Sequence, residues 1–250
     1  MPPPEPVAAF VRWFWIPEWR LAAGRTSRQH VIAFPACNLV VEPHTVGLSG
    51  PTTRRSHRDL TGTGWAVGAL LRPAAVPFFV ADPARLRDAY LVVDLPDLQS
   101  RVTDAMTGAT ERAQRHVLAV DAFAGWLTAT LPPPDPEALL ANTMTELIDT
   151  DPGVVRVEDV AARLHVSIRS VQRLARRYVG LPPLAMIRRR RLQEAAQRVR
   201  TDPSTDLAAV AAQLGYADQA HLANDFRTVL GFTPSAYRGS TQGSGTAVVR

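Results

Sequence analysis

Apolar residues recur at different spacings in the two halves of the chain. Between residues 7 and 100 they form short pieces such as FVRWFWI, HVIAF, NLVVE and GWAVGALL, separated by Pro, Gly and Thr, a pattern typical of short β-strands. After residue 137 the spacing is three or four, as in amphipathic helices. We therefore predict a two-domain α+β protein, in which a β-rich, barrel- or sandwich-like N-terminal domain that includes some helices precedes an all-α domain.

Prolines mark the boundary between the two patterns. The segment LPPPDPE at 131–137 cannot continue a helix and favours an extended connector. We predict a β-rich domain at 1–130, a Pro-rich linker at 131–136, a helical domain at 137–238 and a flexible tail at 239–250. Before the linker, DPARLRDAY predicts a short helix, and the periodicity from Thr103 to Thr130 predicts one long helix whose ends Gly108 and Gly125 weaken.

The helical half contains an internal repeat. VAARLHVSIRSVQRLARRYVG at 160–180 matches VAAQLGYADQAHLANDFRTVLG at 210–231. Each copy has an apolar helix, a tight turn and a polar-faced helix, which is the sequence form of a helix-turn-helix. Between the copies, PLAMIRRRRLQEAAQRVR predicts a linker helix of about 18 residues and about 27 Å.

In the first copy, a helix at 157–164 is expected to pack on a second helix that Ser167 caps. The inward positions of this second helix, at helical spacing, are Val171, Leu174, Ala175 and Tyr178. The opposite face then carries Arg169, Arg173 and Arg176, with Gln172 on its flank.

In the second copy, Asp218 is the expected cap, and Gly215 permits the chain reversal that a β-carbon would oppose. The inward stripe is Leu222, Phe226 and Val229. The outward face is Ala220, Asn224 and Arg227, with Gln219 and Ala223 beside it. Gly231 is expected to end the helix.

These outward residue types suit the edges of DNA bases. Arg can form two parallel hydrogen bonds with guanine, and Asn or Gln can do the same with adenine. The predicted base contacts are Arg169, Gln172, Arg173, Gln219 and Asn224. The predicted phosphate contacts are Ser167, Arg176, His221 and Arg227, although His221 is equally suited to packing. A linker helix of this length is compatible with recognition helices about one DNA turn, roughly 34 Å, apart.

Charge is divided unevenly along the chain. Residues 151–250 hold 15 Arg against 8 Asp and Glu, residues 1–150 hold 13 against 15, and Lys is absent. The basic half is therefore the candidate for contact with a polyanion.

Within this half, the run Arg188–Arg191 spans all sides of a helix, so at most one or two of these arginines can face DNA. We expect the others to be solvated or paired with acidic neighbours. An all-helical interaction domain with a solvated Arg face is the alternative interpretation.

Over about residues 137–238, the chain resembles the AraC/XylS family of bacterial transcription regulators. The most specific part is LGYADQAHLANDFRTVLGFTPSAYR, which fits the family's second motif of G-F/Y, polar positions, F-R/K, G-x-T-P and Tyr-Arg. The resemblance implies two DNA-binding motifs with recognition helices at 167–178 and 219–230. Ala175 departs from the Phe usual in the family, and Ala220 and Ala223 imply less base reading by the second motif.

The N-terminal half resembles β-rich domains that precede AraC-type modules. ALLRPAAVPFFV followed by DPARLRDA is the most similar piece. Such domains often sense a small molecule or dimerise. The resemblance therefore implies either a small-molecule effector bound within residues 1–130 or a homodimer.

Catalytic and metal chemistry have weaker support in the sequence. Cys37 is the single cysteine, and as a thiolate it could accept an alkyl group, so a DNA-targeted alkyl-transfer or other enzyme using Cys37 is the alternative function. No Arg, Lys or His lies near it in sequence, which favours a buried role. GxSxG, HExxH, CxxC and glycine-rich nucleotide loops are absent, and His30, His44 and His57 lack a compact ligand motif. We predict no enzyme activity, no cofactor and no metal.

The expected function is that of a sequence-specific DNA-binding transcription regulator. Its partner is double-stranded DNA, of which the two recognition helices read adjacent major-groove segments. MPPPEP lacks a basic region followed by an apolar run, and Arg72, Pro73 and Pro77 interrupt the longest apolar stretch. We therefore expect no signal peptide, no membrane partner and a cytoplasmic, nucleoid-associated protein.

Overall fold

The computed structural model describes residues 1–31, 34–54, 56–202, 204–230 and 233–234. Two expectations fall outside the described residues: the helix end at Gly231 and the flexible tail at 239–250.

The N-terminal half is built around a five-stranded antiparallel sheet. The strands are β1 (Val11–Trp15), β2 (Glu18–Arg20), β3 (Thr26–Val31), β4 (Asn38–Glu42), β5 (Thr45–Ser49), β6 (Ser56–Thr61), β7 (Thr63–Trp65), β8 (Val67–Leu71) and β9 (Tyr90–Val93). The sheet order is β1-β8-β4-β5-β9, while β2 pairs with β7 and β3 with β6 as two ribbons. All five residues of β8, which lies between β1 and β4, are buried. The predicted β-rich half is confirmed.

Three α-helices precede the proline-rich segment: α1 (Val76–Phe79), which lies between β8 and β9, and α2 (Pro96–Gly108) and α3 (Arg112–Thr130), which follow β9. The prediction of one continuous helix from Thr103 to Thr130 is wrong. Gly108, a weak helix former, ends α2, and Ala109 and Glu111 have extended backbones. The short helix expected in DPARLRDAY is a 3-10 turn at Pro83–Leu86, capped by the Asp82 carboxylate through the Ala84 N–H at 3.2 Å.

Every regular element described after the prolines is helical, as predicted. The helices are α4 (Pro136–Thr150), α5 (Val157–Leu164), α6 (Ile168–Tyr178), α7 (Pro183–Thr201), α8 (Leu207–Gln213) and α9 (Gln219–Leu230). Asp135 caps α4 by accepting the Ala138 N–H at 2.7 Å. The linker helix is α7, whose 19 residues agree with the predicted length. None of the described helices is long and apolar enough to cross a membrane.

The apolar residues form two cores that do not follow the proline boundary. The first core extends from Val7 through the sheet and α2 to α6, and ends at Ile187 in the first half of α7. The second core lies between the rest of α7, α8 and α9, from Leu192 to Phe226. The first helix-turn-helix unit thus shares its core with the N-terminal half, whereas the second unit has its own. The domain limits at 130 and 137 stay a prediction.

Candidate nucleic-acid interface

The first helix-turn-helix unit, α5 and α6, follows the sequence pattern. The Ser167 hydroxyl caps α6 by accepting the Ser170 N–H at 3.1 Å. The four buried residues of α6 are those predicted: Val171, Leu174, Ala175 and Tyr178. At the start of α5, the Asp159 carboxylate accepts the N–H groups of Val155 and Arg156 at 2.9 and 2.8 Å. These bonds favour the charged form and hold the pKa of Asp159 below its ordinary value.

The turns of the two units share a left-handed backbone but not a residue type. Gly215 has φ +68°, and the residue at the same place in the first unit, His165, has φ +55°. A β-carbon makes this conformation costly for most residues, although histidine tolerates it better than most. The first unit therefore stores strain that the second avoids.

Replacing His165 with glycine is expected to stabilise the protein. Glycine adopts the left-handed backbone without the steric cost of a β-carbon, and this gain exceeds the cost of ordering the more flexible glycine on folding. We therefore expect the free energy of unfolding to rise by about 0.5–1 kcal/mol. Urea unfolding of His165→Gly measures it. His44→Gly is the control, since His44 lies in a turn without positive φ and glycine should destabilise there. If His165→Gly and His44→Gly destabilised the protein equally, the backbone at His165 would not be strained.

The predicted contact face of α6 is exposed. Arg169, Gln172, Arg173 and Arg176 are all accessible to solvent. Within the described part of the chain, Arg169 and Arg176 form no ion pair, so their guanidinium groups are free to meet DNA. Arg173 differs, because its Nη1 pairs with Oε1 of Glu137 in the first turn of α4.

Arg177 is not among the contact residues that the sequence predicts. Its Nη1 lies 2.8 Å from Oε2 of Glu137, so one carboxylate holds two arginines of α6. The available signal was the spacing of four between Arg173 and Arg177, which places both on one side of a helix. Glu137 itself gave no signal, since it lies 36 residues before Arg173.

The second unit, α8 and α9, also agrees with its prediction. Asp218 accepts the His221 N–H at 2.7 Å, and Leu222 and Phe226 are fully buried. Gln219, Asn224 and Arg227 are accessible on the opposite side. The His221 and Tyr216 rings pack perpendicular to each other, with their centroids 5.2 Å apart. The His221 side chain is therefore used at least in part for packing.

The expectation that most of the run Arg188–Arg191 is solvated or acid-paired is wrong in part. Arg188 does pair with Asp225 of α9, at 2.6 Å between Nη2 and Oδ1. Arg189, Arg190 and Arg191, however, are each less than a tenth exposed. The physical reason is the position of α7, which touches both cores, so that these sides of the helix are covered.

Two of the buried guanidinium groups stack over aromatic rings, and the third donates a hydrogen bond to a main-chain carbonyl. Arg189 lies over Phe34 at 4.4 Å and Arg191 over Tyr216 at 4.6 Å from the ring centroids, which are favourable cation–π distances. Arg190 donates to the Val154 carbonyl at 2.8 Å and pairs with Glu194 at 3.2 Å. Burial lowers the pKa of Arg189 to about 10 and lowers the pKa of Arg191. These three charges are inaccessible to DNA phosphates.

Cys37 lies in the first core, on the wall of a cavity of about 30 Å³ between β1, β8, α4 and α7. The side chain is 1% exposed, and burial raises the pKa of its thiol to about 12. The thiolate is the nucleophilic form of cysteine, so a buried thiol with a raised pKa is a poor nucleophile. The cavity has room for about one water, whereas pockets for small molecules are usually at least about 300 Å³.

Comparison with known proteins finds similarity in both halves of the chain. Residues 160–240 match a family model described as a helix-turn-helix domain. An AraC-like transcription regulator of Streptomyces antibioticus is 31% identical over 120 residues, which cover 48% of this chain and 38% of that protein. The helical half is thus similar to a helix-turn-helix domain, and part of the chain is similar to an AraC-like regulator. Residues 1–92 match a second model, described only as a domain of unknown function (DUF6597).

Solved structures with similarity to the chain include ToxT and an AraC-type regulator. ToxT from Vibrio cholerae O395 is 11% identical with a TM-score of 0.44, over 92% of this chain and 99% of ToxT. An AraC-type regulator from Chromobacterium violaceum is 21% identical with a TM-score of 0.38, over 42% of this chain and 95% of that chain. The match to a helix-turn-helix domain at 160–240 does not depend on these structural likenesses.

Proposed function

We propose that the protein is a sequence-specific DNA-binding transcription regulator. The observation that carries this is the pair of exposed polar faces on α6 and α9, each opposite a buried apolar stripe, in a region that matches a helix-turn-helix domain. Such a helix presents one face to its own unit and the other to a groove of DNA. The two recognition helices would then read adjacent major-groove segments of one duplex.

The residues of these faces take two roles in the proposal. Base edges are read by Arg169, Gln172, Arg173, Gln219 and Asn224. Phosphates are contacted by Ser167, Arg176, His221 and Arg227, which set the register without reading sequence. Because Ala220 and Ala223 occupy the second face, α9 would contribute less base reading than α6.

The N-terminal half is proposed to control DNA binding through the first unit. The main-chain carbonyl of Gly180, just after α6, accepts a hydrogen bond from Arg87 Nη2 at 3.1 Å, and the sheet shares its core with α4, α5 and α6. A change in the N-terminal half, on binding a small-molecule effector or on forming a homodimer, would therefore reach α6 directly. As a DNA-binding regulator, the protein would act on the chromosome in the cytoplasm.

A role as an alkyl-transfer or other enzyme using Cys37 is disfavoured by two observations. The thiol is buried, and its pKa of about 12 keeps it protonated. We propose a non-enzymatic regulator without cofactor or metal.

Selection from random duplex DNA with the purified full-length protein tests the proposed function. The expected result is a consensus in two blocks, with centres about one helical turn, or roughly 10 bp, apart. Enrichment of DNA without any consensus would contradict sequence-specific reading. A single short block would contradict a contribution from α9.

Arg173→Ala is expected to weaken binding to the selected site by about 1–3 kcal/mol and to relax the preference at one base position. Arg176→Ala should weaken selected and random DNA alike and reduce the salt slope by about one. Fluorescence anisotropy titrations at several salt concentrations measure both. Arg25→Ala, which removes an exposed arginine from the N-terminal half, is the control and should change neither. Unchanged base preference in Arg173→Ala would remove this residue from the reading face.

A further inference from the structure

Glu137 lies against the recognition helix of the first unit. It is the second residue of α4, and both of its carboxylate oxygens are engaged. Oε1 pairs with Arg173, while Oε2 accepts from Arg177 Nη1 at 2.8 Å and from the Tyr178 hydroxyl at 3.3 Å. The Glu137 side chain is 27% exposed, whereas those of Arg173 and Arg177 are 58% and 55% exposed. One partly buried acid thus holds two largely exposed cations.

The bonds to Glu137 use the same groups that would bind DNA. An arginine has donors only, and a carboxylate, a phosphate and the O6 and N7 atoms of guanine all compete for them. The Nη1 of Arg173 cannot complete a bidentate contact with guanine while Glu137 holds it in this orientation. In addition, a carboxylate beside the contact face repels a polyanion. Both effects oppose the approach of DNA to this edge of α6.

The position of Glu137 is fixed by contacts along the rest of α4. The Asn142 amide accepts the Ala74 N–H at 2.9 Å and donates to the Ala9 carbonyl at 2.8 Å. Further along, Asp149 pairs with Arg12 of β1. Because these contacts join α4 to the N-terminal half, they oppose a movement of α4, and of Glu137 with it, away from α6.

We propose that Glu137 restrains DNA binding by competing with DNA for Arg173 and Arg177. The proposal rests on the function proposed above, and it assigns a regulatory residue to the same interface. In the free protein the carboxylate holds both arginines, and binding to DNA requires at least the Arg173 pair to open. The restraint lowers affinity for every sequence and most of all for sites that need Arg173.

Glu137→Gln tests this proposal, because it removes the charge and keeps the shape. Two exposed ion pairs are each worth up to about 1 kcal/mol, so we expect affinity for the selected site to rise about 3- to 10-fold. Glu158→Gln is the matched control: Glu158 is also the second residue of its helix, α5, is exposed, and among the described residues it pairs with neither arginine. It should change affinity less than about twofold. Glu137→Ala provides a second variant, and the melting temperature of each verifies folding.

A double-mutant cycle separates the restraint from a general charge effect. In the Arg173→Ala background, the gain from Glu137→Gln should fall well below its value in the parent. An equal gain in both backgrounds, an equal gain from Glu158→Gln, or unchanged or weaker binding by folded Glu137→Gln and Glu137→Ala would each overturn the restraint while leaving the proposed function intact. A parent protein with no saturable DNA binding would overturn both.

Discussion

Phe226→Ala is expected to unfold the second helix-turn-helix unit while the N-terminal sheet and the first unit remain folded. Phe226 is fully buried in the second core, and removing a buried phenylalanine ring costs about 3–5 kcal/mol. Among the described residues, the buried members of this core are Leu192, Ala195, Ala196, Val210, Ala211, Leu214, Tyr216, Leu222 and Phe226. Because α8 and α9 pack in this core rather than in the first, we expect a loss of this size to open the second unit locally.

Hydrogen exchange followed by mass spectrometry measures this difference. Peptides from α8 and α9 should lose protection in Phe226→Ala, and peptides from β4, β8 and α6 should keep it. Phe123→Ala makes the same change at a fully buried site of the first core and should lower protection in the sheet and in α6. If Phe226→Ala lowered protection in the sheet as much as in α9, the two cores would form one cooperative unit.

Gly180→Ala is the second change with a large expected effect, about 3 kcal/mol or more of lost stability. Gly180 follows α6 with φ +80°, where an alanine costs about 1–2 kcal/mol. A β-carbon there would also lie 2.5 Å from the Pro83 carbonyl carbon and 2.6 Å from the Ala84 nitrogen. These are backbone atoms that cannot rotate away. The end of α6 would therefore separate from the 3-10 turn of the N-terminal half.

Gly24→Ala isolates the contribution of the close approach. Gly24 has a similar φ of +76°, but a β-carbon added there would meet no atom within 4 Å, so only the backbone cost applies. Chemical unfolding of both variants should give a difference of about 1–2 kcal/mol or more between them. Equal losses would mean that the 3-10 turn moves aside without cost.

The helix-turn-helix units could be predicted from the sequence because all their determinants are local. Helical spacing fixes the inward residues such as Val171 and Leu222, and the caps Ser167 and Asp218 lie three residues from the N–H groups they accept. The repeat gave a second, independent indication of each boundary. Predictions of the exposed faces of α6 and α9 follow from the same geometry.

Other features could not be predicted because they depend on contacts between distant segments. The burial of Arg189, Arg190 and Arg191 depends on α7 lying between two cores, and Arg189 meets Phe34 of the N-terminal half. The bond from Glu137 to Arg173 joins two helices whose relative placement no periodicity defines. Gly108 marks the end of α2, but a single glycine in a helical pattern can either end a helix or be tolerated inside it. The sequence therefore did not distinguish two helices from one.

The separation between the proline-rich segment and the core boundary bears on how this protein can evolve. Ala141, Met144 and Ile148 of α4 follow the prolines, yet they are buried in the first core together with residues of the sheet. A recombination event that joined another N-terminal half at residues 131–136 would leave these side chains without their neighbours. The two halves are thus expected to be inherited together, with paired substitutions on α4 and on β1 or β8, whereas α8 and α9 can diverge more independently.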